Sequence, residues 1–268
     1  MAAGLPNPSD ATVSVWLGTP GGPASYEREA GATHYAASTM KLPLVVAAYR
    51  LAERGVLDLD AQVPVHSEFA SAYDGSTFVM RQDYDQDDET WARVGGTTRL
   101  RDLARHAIVR SGNLATNLVL EQVGADEVAN VLRDAGCSPA TAIPRGIEDA
   151  AAREAGVDNL VTAADLSLVL GAVATRTIAS PRTCEQVEAV LAAQEHREQV
   201  PAGLPPGTYV ANKTGWIDDV AHDVALVRPD DRPDYVLTVC TSAKADEQAL
   251  YALNAGISRA VWDAWAAA

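Results

Sequence analysis

The pattern of hydrophobic and polar positions divides the chain into strand-like ends and a helical middle. Near the N-terminus, residues 12–19 and 24–30 predict two strands separated by a Gly-Gly-Pro turn. An amphipathic helix is expected over 246–265, at the other end of the chain. Three further strands are predicted before that helix, at 208–210, 220–227 and 235–241.

Between these strands the apolar positions recur at helical spacing. Thr162 and Asp165 have the spacing of a capping box, which predicts a helix start at that point. The predicted helices of this middle region span 40–54, 99–108, 114–123, 125–135, 163–174 and 184–193.

Strands at both ends and helices between them predict an α+β fold. One antiparallel sheet is then assembled from both ends of the chain, and an all-helical lobe is inserted between them. We expect a single domain over residues 1–268, with a sheet lobe at about 1–34 and 200–268 and a helical lobe at about 35–199. A substrate site is expected in the cleft between the lobes.

The 268-residue chain carries a formal net charge of −15 at pH 7. Such a charge repels polyanions, so nucleic acid and anionic membrane surfaces are not expected as partners. No apolar stretch reaches the roughly 20 residues of a membrane span. The N-terminus lacks the basic and apolar regions of a secretory leader. We therefore expect a cytoplasmic protein if Met1 is the natural start, and a secreted or periplasmic one if a leader has been removed.

The residues that form disulfides or bind metals are scattered along the chain. Cys137, Cys184 and Cys240 are an odd number at wide spacing, and we expect them to be small buried hydrophobic residues. The five histidines form no ligand pair at helical spacing, so we expect no metal and no cofactor. The acidic run Asp83–Glu89 (DYDQDDE) lacks the glycine and terminal glutamate of a calcium loop, and it predicts a solvated insertion.

The segment Ala36–Gly55 (AASTMKLPLVVAAYRLAERG) predicts a helix that is apolar almost all round, yet Ser38 and Lys41 lie at its start. Residues i and i+3 share a helix face, so these two side chains are expected to be neighbours. A helix N-terminus favours a developing oxyanion near Ser38. Burial lowers the pKa of a lysine, so Lys41 is expected to be partly neutral and able to take a proton from the serine. Taken alone, the pair is also typical of a capping serine and a lysine that reaches solvent.

Two further motifs carry chemistry. Ser111-Gly112-Asn113 lies between two predicted helices, where a serine can relay a proton and an asparagine can hold a substrate amide. Lys213-Thr214-Gly215 lies on a strand edge, where a lysine beside a hydroxyl suits a carboxylate. The glycine lets a substrate backbone approach closely. Each motif is weak by itself.

In this order and spacing, the three motifs resemble the S-x-x-K, S-D-N and K-T-G set of class A β-lactamases and penicillin-binding proteins. Asn117 continues the second motif as S-x-N-x-x-x-N, and residues 234–265 resemble the family's final strand and C-terminal helix. The resemblance covers nearly the whole chain, from 12–19 to Trp265. It implies a serine hydrolase in which a helical lobe packs against a five-stranded antiparallel sheet.

The resemblance also implies roles for the motif residues. Ser38 would be the acylated nucleophile, and Lys41 its general base or part of the relay that activates it. Ser111 would carry the proton to the leaving nitrogen, and Lys213 would tune that transfer. Asn113 would bind the side-chain amide of the substrate.

Other implied roles concern the substrate's carboxylate and carbonyl oxygen. Lys213 and Thr214 would face a substrate carboxylate. The backbone N–H groups of Ser38 and Trp216 would form the oxyanion hole. For Thr214 and Trp216 a purely structural role in the sheet is the alternative.

The sequence departs from the family pattern in the second motif and in the loop that serves deacylation. Gly112 stands where the family has an aspartate that usually makes structural hydrogen bonds, so the motif must be held differently here. The loop from Pro144 to Asn159 is shorter than the family's R-x-E-x-x-L-N loop and lacks its final L-N. Glu148 is our candidate for the base that activates the deacylating water, and Glu154 is the competitor. A loop without such a base, with Glu148 in a salt bridge, is the third possibility.

Two more departures lie around the expected cleft. The strand after K-T-G often carries an arginine that binds the substrate carboxylate, and here the spacing gives His222, either as a substrate contact or as a sheet residue. The segment 76–96, with Trp91, is enlarged and is expected near the cleft mouth. Tyr73 is a candidate to line the substrate site.

Three functions follow from these residues. The first is hydrolysis of a β-lactam amide through an acyl-enzyme. The second keeps the nucleophile but changes the substrate, as in an esterase, thioesterase, amidase, D-alanyl peptidase or biosynthetic acyl-transfer enzyme. The third is a penicillin-binding sensor module with slow or no turnover. In each case we expect a monomer that binds a small acyl substrate.

Overall fold

Five strands form one antiparallel sheet in the computed structural model of the protein, which describes residues 11–265. The strands are β1 (Ala11–Gly18), β2 (Ala24–Arg28), β3 (Tyr209–Ile217), β4 (Val220–Arg228) and β5 (Tyr235–Ala243). Their order across the sheet is β2-β1-β5-β4-β3, so β1 from the N-terminal part pairs with β5 from the C-terminal part. The predicted α+β fold, with its sheet built from both ends of the chain, is confirmed.

The described residues contain nine α-helices. They are α1 (Lys41–Glu53), α2 (Asp88–Trp91), α3 (Leu100–Val109), α4 (Asn113–Val123), α5 (Ala125–Asp134), α6 (Ala150–Glu154), α7 (Ala163–Ala174), α8 (Pro181–Ala192) and α9 (Glu247–Trp265). All seven predicted helices are present within three residues at either end. The short helices α2 and α6 were not predicted, because neither is long enough to show a helical hydrophobic period.

Short elements complete the helical lobe. Three two-stranded ladders pair His34–Tyr35 with Leu160–Val161, Gln62–Pro64 with Thr97–Arg99, and Glu68–Ala70 with Thr77–Val79. Turns of 3₁₀ helix span Ala37–Met40, Gln82–Tyr84 and Val200–Gly203.

Helix α1 is the centre of the helical lobe. It packs against α3, α4, α5, α7 and α8, which explains why its sequence is apolar on nearly every side. Lys41, its first residue, is 0% exposed. The prediction that this lysine is buried is therefore confirmed, and the alternative of a lysine that reaches solvent is wrong.

The central strands of the sheet are buried on both faces, whereas the edge strand β2 is mostly exposed. Helix α9 and the turn Val200–Gly203 cover one face, and α7 covers the other. Strand β4 is buried along all but its last residue, and its buried positions include His222 and Asp223 among apolar residues. Strand β3 is longer than predicted, and it carries Lys213, Thr214 and Gly215 on the edge strand of the sheet, as the sequence predicts.

The predicted capping box at α7 forms only by half. The Thr162 hydroxyl accepts a hydrogen bond from the Asp165 backbone N–H at 3.0 Å, as an N-cap should. The Asp165 carboxylate does not reach back to Thr162. It accepts hydrogen bonds from the Ser138 and Thr141 hydroxyls instead, so it fastens the loop after α5 to the start of α7.

The prediction that the acidic run Asp83–Glu89 is a solvated insertion is wrong for two of its carboxylates. Asp83 is exposed, but Asp87 is 0% exposed and Asp85 is half-buried. Both of these carboxylates point inward and contact the segment Ser111–Leu114. The sequence of the acidic run gives no sign of these contacts.

Other predictions are met in part. All three cysteines are free thiols, with Cys184 and Cys240 buried and Cys137 half-buried. None of the described helices is long and apolar enough to cross a membrane. The first ten residues, on which the expectation about localisation depends, lie outside the described residues.

Candidate active site

A cleft of about 420 Å³ opens between the sheet and the helical lobe. Strand β3 borders it on one side, and the start of α1 and the loop before α6 border it on the other. Four predicted site residues and the predicted oxyanion-hole residue line it: Ser38, Ser111, Asn113, Glu148 and Trp216. The cleft between the lobes is where the sequence predicts a substrate site.

Ser38 lies in the 3₁₀ turn that leads into α1. Ala37, the residue before it, has φ 44°, a left-handed conformation that is costly for a residue with a Cβ. Strand β3 approaches this turn so closely that a Cβ on Gly215 would lie 2.8 Å from the backbone nitrogens of Ser38 and Thr39. Glycine is therefore required at position 215 for a steric reason, since only a residue without a side chain lets β3 approach the serine.

Lys41 is held by the loop before α4. Its Nζ donates to the Ser111 carbonyl at 2.6 Å and to Asn113 Oδ1 at 2.8 Å, and it lies 3.4 Å from Ser111 Oγ. Burial lowers the pKa of Lys41 to about 7, and the charges of Asp85 and Asp87 offset part of that effect. In its neutral form the amine needs two N–H groups for its two short bonds, which leaves a lone pair to accept a proton.

Ser111 connects the two buried lysines. Lys213 Nζ donates to Ser111 Oγ at 3.1 Å and to the Thr214 carbonyl at 2.7 Å. Burial and the nearby charge of Lys41 hold the pKa of Lys213 well below its usual range, although Asp223 acts in the opposite direction. Ser111 itself has φ 58°, so its hydroxyl is presented from a left-handed backbone. The arrangement gives an unbroken path for a proton between the lysines and the serine hydroxyl.

Asn113 opens helix α4 and borders the cleft. Its Oδ1 accepts from Lys41, and its Nδ2 donates to the Tyr84 carbonyl at 2.8 Å. An amide nitrogen carries two hydrogens, so one N–H is left for a substrate.

Glu148 lies on the loop between β-bridge residue Ala142 and α6, with φ 64°. Its Oε2 accepts from the Arg81 backbone N–H at 3.2 Å, while its Oε1 is buried and has no hydrogen-bond partner within residues 11–265. Burial raises the pKa of Glu148, and Arg81 opposes this. A buried carboxylate oxygen without a protein partner is suited to hold a water molecule.

Two sets of contacts hold this loop. The Asn117 side chain bonds both backbone groups of Ile147, donating to its carbonyl at 2.9 Å and accepting from its N–H at 2.8 Å. The buried guanidinium of Arg145 pairs with Asp158 across the loop and donates to the Val157 carbonyl. These contacts of Asn117 and Arg145 therefore fix the backbone on both sides of Glu148.

Thr214 and Trp216 follow Lys213 along β3, and of these three residues only Trp216 lines the cleft. Thr214 is buried, and its Oγ1 has no hydrogen-bond partner among the described residues. Trp216 is half-buried, lines the cleft, and packs against His196 with the ring centroids 4.7 Å apart and the ring planes tilted by 57°. His196 Nε2 in turn donates to the Arg110 carbonyl at 3.1 Å, so the end of β3 is joined to the residue before Ser111.

His222 does not reach the cleft, and the geometry does not support its predicted substrate contact. Its Nε2 donates to the Tyr35 carbonyl at 2.9 Å, and its Nδ1 accepts from the Thr241 N–H at 3.1 Å. Burial lowers its pKa to about 4, so the ring is neutral at physiological pH. With both nitrogens engaged, His222 supports the chain just before Ser38, which is the sheet role that we held as the alternative.

The geometry also removes two lesser candidates and adds others. Tyr73 is exposed and outside the cleft, and Glu154 is exposed and does not line it. Residues that sequence reasoning missed do line the cleft: Tyr35, Met40, Tyr84, Arg145, Ile147 and Arg153. One signal in the sequence could have indicated that the segment Pro144–Asn159 closes on itself. It is the pair of opposite charges, Arg145 and Asp158, near its two ends.

No group of three or more His, Cys, Asp or Glu side chains in residues 11–265 is arranged to hold a metal ion.

The family follows from comparison with known proteins. A family model described as the beta-lactamase enzyme family matches residues 2–265. The chain belongs to this family. It is accordingly a β-lactamase-like serine hydrolase.

Solved structures share the fold across nearly the full chain. PBP-A superposes with a TM-score of 0.82 at 21% identity, covering 98% of this chain and 92% of that one. A point mutant of PBP-A, solved as an acyl-enzyme complex with penicillin G, gives 0.80 at 21% identity, with 97% and 92% covered. A β-lactamase from Sphaerobacter thermophilus gives 0.76 at 24% identity, with 96% and 93% covered. Comparison with curated protein sequences gave no match.

Gly215→Ala is expected to impair acylation of this β-lactamase family member. The new methyl group would lie 2.8 Å from two backbone nitrogens, so the turn that carries Ser38 must move. We expect acylation by a chromogenic β-lactam to slow by about 100-fold, since a misplacement of about 1 Å has that effect on a reacting group. Gly256→Ala on α9 is the control, because its Cβ meets open space. Acylation of the Gly215 variant at the wild-type rate would contradict the steric role.

The acylation rate is expected to depend on pH through Lys41. Only the neutral amine accepts a proton, so the rate should rise with pH through an apparent pKa near 7 and then level off. Stopped-flow measurement of single-turnover acylation at constant ionic strength tests this. Lys41→Arg, which stays charged, should lose the pH-dependent rate. A wild-type profile that is flat across neutral pH would show that Lys41 is not the base.

Proposed function

We propose that this protein hydrolyses β-lactam amides through an acyl-enzyme formed on Ser38. The convergence of Lys41 and Lys213 on Ser111 Oγ, at 3.4 Å and 3.1 Å, carries the proposal. Transfer of a proton to an amide nitrogen requires a group that can donate it. The Ser111 hydroxyl, which has two buried lysines beside it and shares its cleft with Ser38, meets this requirement. Among structural neighbours, penicillin G is bound as an acyl-enzyme by a mutant of PBP-A.

Acylation begins when neutral Lys41 takes the proton of Ser38 Oγ. The oxygen forms a bond to the lactam carbonyl carbon, and the carbonyl electron pair moves onto its oxygen. When the C–N bond breaks, Ser111 gives its proton to the ring nitrogen and receives one from Lys41. The proton that left Ser38 has then moved to the leaving nitrogen, and the lysines have returned to their starting state.

The developing charge on the carbonyl oxygen is stabilised by the backbone N–H groups of Ser38 and Trp216. The close approach of β3 to Ser38 at Gly215 supports this pairing, because it brings the two backbones together. A substrate carboxylate is held by Lys213 and Thr214. The unpartnered Oγ1 of Thr214 supports that role, since a buried hydroxyl without a partner is costly.

Deacylation uses water activated by Glu148. The carboxylate takes a proton from the water, and the water oxygen bonds to the ester carbonyl carbon. The bond from that carbon to Ser38 Oγ then breaks, and the proton held by Glu148 returns to Ser38 Oγ, so both side chains regain their starting state. The free, buried Oε1 in the cleft supports Glu148 as the base in preference to Glu154, which does not line the cleft. Asn113 holds the substrate amide with its remaining N–H.

A penicillin-binding role with slow turnover is the second candidate. The observation in its favour is the short loop from Pro144 to Asn159, in which Glu148 has a left-handed backbone and one carboxylate oxygen is already bonded to Arg81. Such a site acylates as readily but releases the product slowly. Esters, thioesters and D-alanyl peptides use the same nucleophile and are tested with the same assay.

Incubation with benzylpenicillin, followed by intact mass, tests the proposal. We expect drug to be consumed with a transient adduct on Ser38, and Ser38→Ala to give neither adduct nor loss of drug. A stable adduct with little drug consumed would favour the penicillin-binding role. No adduct and no loss of drug would overturn both, and other acyl substrates would then be assayed.

Glu148→Gln should separate the two chemical steps. The amide keeps the size of the carboxylate but cannot act as a base, so acylation should persist while deacylation slows by about 100-fold or more. The acyl-enzyme should then accumulate in the mass spectrum. Glu154→Gln, on the same loop but outside the cleft, is the matched control. If turnover by the Glu148 variant equals that of the control, Glu148 is not the base.

A further inference from the structure

The middle residue of the Ser111-Gly112-Asn113 motif faces a side chain from another part of the chain. A Cβ on Gly112 would lie 2.9 Å from both Cβ and Oδ2 of Asp87. The backbone of Gly112 is ordinary, with φ −58°, so the glycine is not required by its conformation. The space that a side chain at position 112 would fill is occupied by the carboxylate of Asp87.

Asp87 is built into the structure rather than resting on its surface. It is 0% exposed, and its carboxylate accepts hydrogen bonds from the Thr90 hydroxyl and from Arg110 Nη1, the latter at 3.1 Å. His106 Nδ1 lies 3.1 Å from Asp87 Oδ2. Burial alone would raise the pKa of Asp87, but these partners hold it well below its usual range. Asp87 is therefore a carboxylate fixed between Arg110 and Gly112, on either side of Ser111.

Asp85 holds the next residues of the same loop. Its Oδ1 accepts from the Asn113 N–H and its Oδ2 from the Leu114 N–H, both at 2.8 Å. The Trp91 indole N–H donates to Oδ2 as well, at 2.8 Å. These two backbone N–H groups belong to the first turn of α4 and have no partner within the helix. A side chain from the acidic run thus caps the helix that presents Asn113 to the cleft.

We propose that Asp87 and Asp85 are positioning residues that together replace the carboxylate missing from the Ser111-Gly112-Asn113 motif. Asp87 pairs with the Arg110 side chain and packs against Gly112, on either side of Ser111, and Asp85 bonds the backbone N–H of Asn113. The inference rests on the proposed acyl-transfer function of Ser111 and Asn113. It assigns to the acidic run, which the sequence presents as an insertion, the task of holding the proton-relay loop.

The left-handed backbone of Ser111 is the reason that such support is needed. A φ of 58° is sparsely populated for serine and persists only where the surroundings determine it. The same residue accepts a hydrogen bond from Lys41 on its carbonyl and from Lys213 on its hydroxyl. If the Ser111 backbone relaxed toward an ordinary conformation, both lysines would lose a hydrogen-bond acceptor. Both are buried, so water would not replace that acceptor.

The two carboxylates also balance charge around Lys41. The charged groups that act on the pKa of Lys41 are Asp85 and Asp87 on the acidic run, and Lys213 on β3 is its cationic neighbour. Glu148, on the loop before α6, lines the adjoining cleft. Arg110, His106 and Glu89 face Asp87 from behind. Removing the charge of Asp87 leaves Lys41 with fewer negative neighbours, so the pKa of Lys41 should fall further below 7.

The test compares Asp87→Asn and Asp85→Asn with Asp83→Asn as the matched control. Asp83 lies in the same run and carries the same charge, but its side chain is exposed. We expect the plateau rate of single-turnover acylation to fall by about 10-fold to 100-fold in the first two variants. The acid limb of the profile should move to lower pH in Asp87→Asn. A structural defect alone would lower the active fraction without moving the limb. Profiles that match the control in rate and pH would overturn the proposal.

An exchange of the side chains gives a second, independent result. Gly112→Asp alone places two carboxylates in the space of one and should disable the protein. Asp87→Ala combined with Gly112→Asp restores a single carboxylate at that place, so acylation should recover at least about 10-fold over Asp87→Ala alone. If Asp87→Asn fails to fold, the comparison of the combined variant with Asp87→Ala still tests the positioning role of Asp87. No recovery of folding or of rate in the combined variant would count against the proposal.

Labelling with a fluorophosphonate separates this inference from the proposed substrate. Ser38 Oγ bonds to phosphorus, fluoride leaves, and Lys41 takes the proton, so no β-lactam is involved. If wild type is labelled but ignores benzylpenicillin, the proposed substrate fails, and the labelling rates of the variants still test the positioning role. If wild type is not labelled at any pH, no activated serine exists and both proposals fail.

Discussion

The removal of Lys41 from water is the constraint on which the rest of the structure depends. A pKa near 7 in place of 10.5 means that the protonated form is destabilised by about 5 kcal/mol. That is comparable to the whole net stability of a typical domain, about 5–15 kcal/mol. This loss of folding stability is full below pH 7, where Lys41 is protonated in both the folded and the unfolded state. It decreases as the pH rises from 7 toward 10.5, because the folded protein releases the proton at a lower pH than the unfolded chain does. Only a large core can carry such a group, and α1, buried against five other helices, provides it.

Placing Lys213 beside Lys41 adds to this cost, since each positive charge disfavours the other. The fold offsets it with carboxylates at fixed positions rather than with ion pairs. Asp223, buried one strand away and bonded to Asn212 and the Val200 N–H, acts on Lys213. Asp85 and Asp87 act on Lys41 from the opposite side. A direct salt bridge would keep a lysine charged and remove it as a base. Carboxylates bonded to other partners lower the cost of burial while leaving the amine free to exchange a proton.

Most of the fold could be predicted from the sequence because its signals are local. The apolar runs of β4 and β5 and the helical period of α3 and α5 depend only on neighbouring residues, and so do the three motifs. The failures arose where the outcome depends on contacts between distant segments. Spacing alone assigned His222 to the cleft, but pairing with Gly215 in the sheet puts its ring beneath Tyr35. A run of acidic residues reads as a solvated face, and nothing local to DYDQDDE indicates that Asp87 fills the space beside a glycine 25 positions later.

The proposed acylation and deacylation steps differ in how much of the fold they involve. The residues proposed for acylation come from the start of α1 and the turn before it, from the loop before α4 and from β3, so the relative position of both lobes determines their geometry. Glu148 depends on one loop, which Asn117 and the Arg145–Asp158 pair hold in place. The left-handed backbone at Glu148 persists because those contacts determine it on both sides. A small change in this loop can therefore alter the lifetime of an acyl-enzyme while the acylation site stays intact.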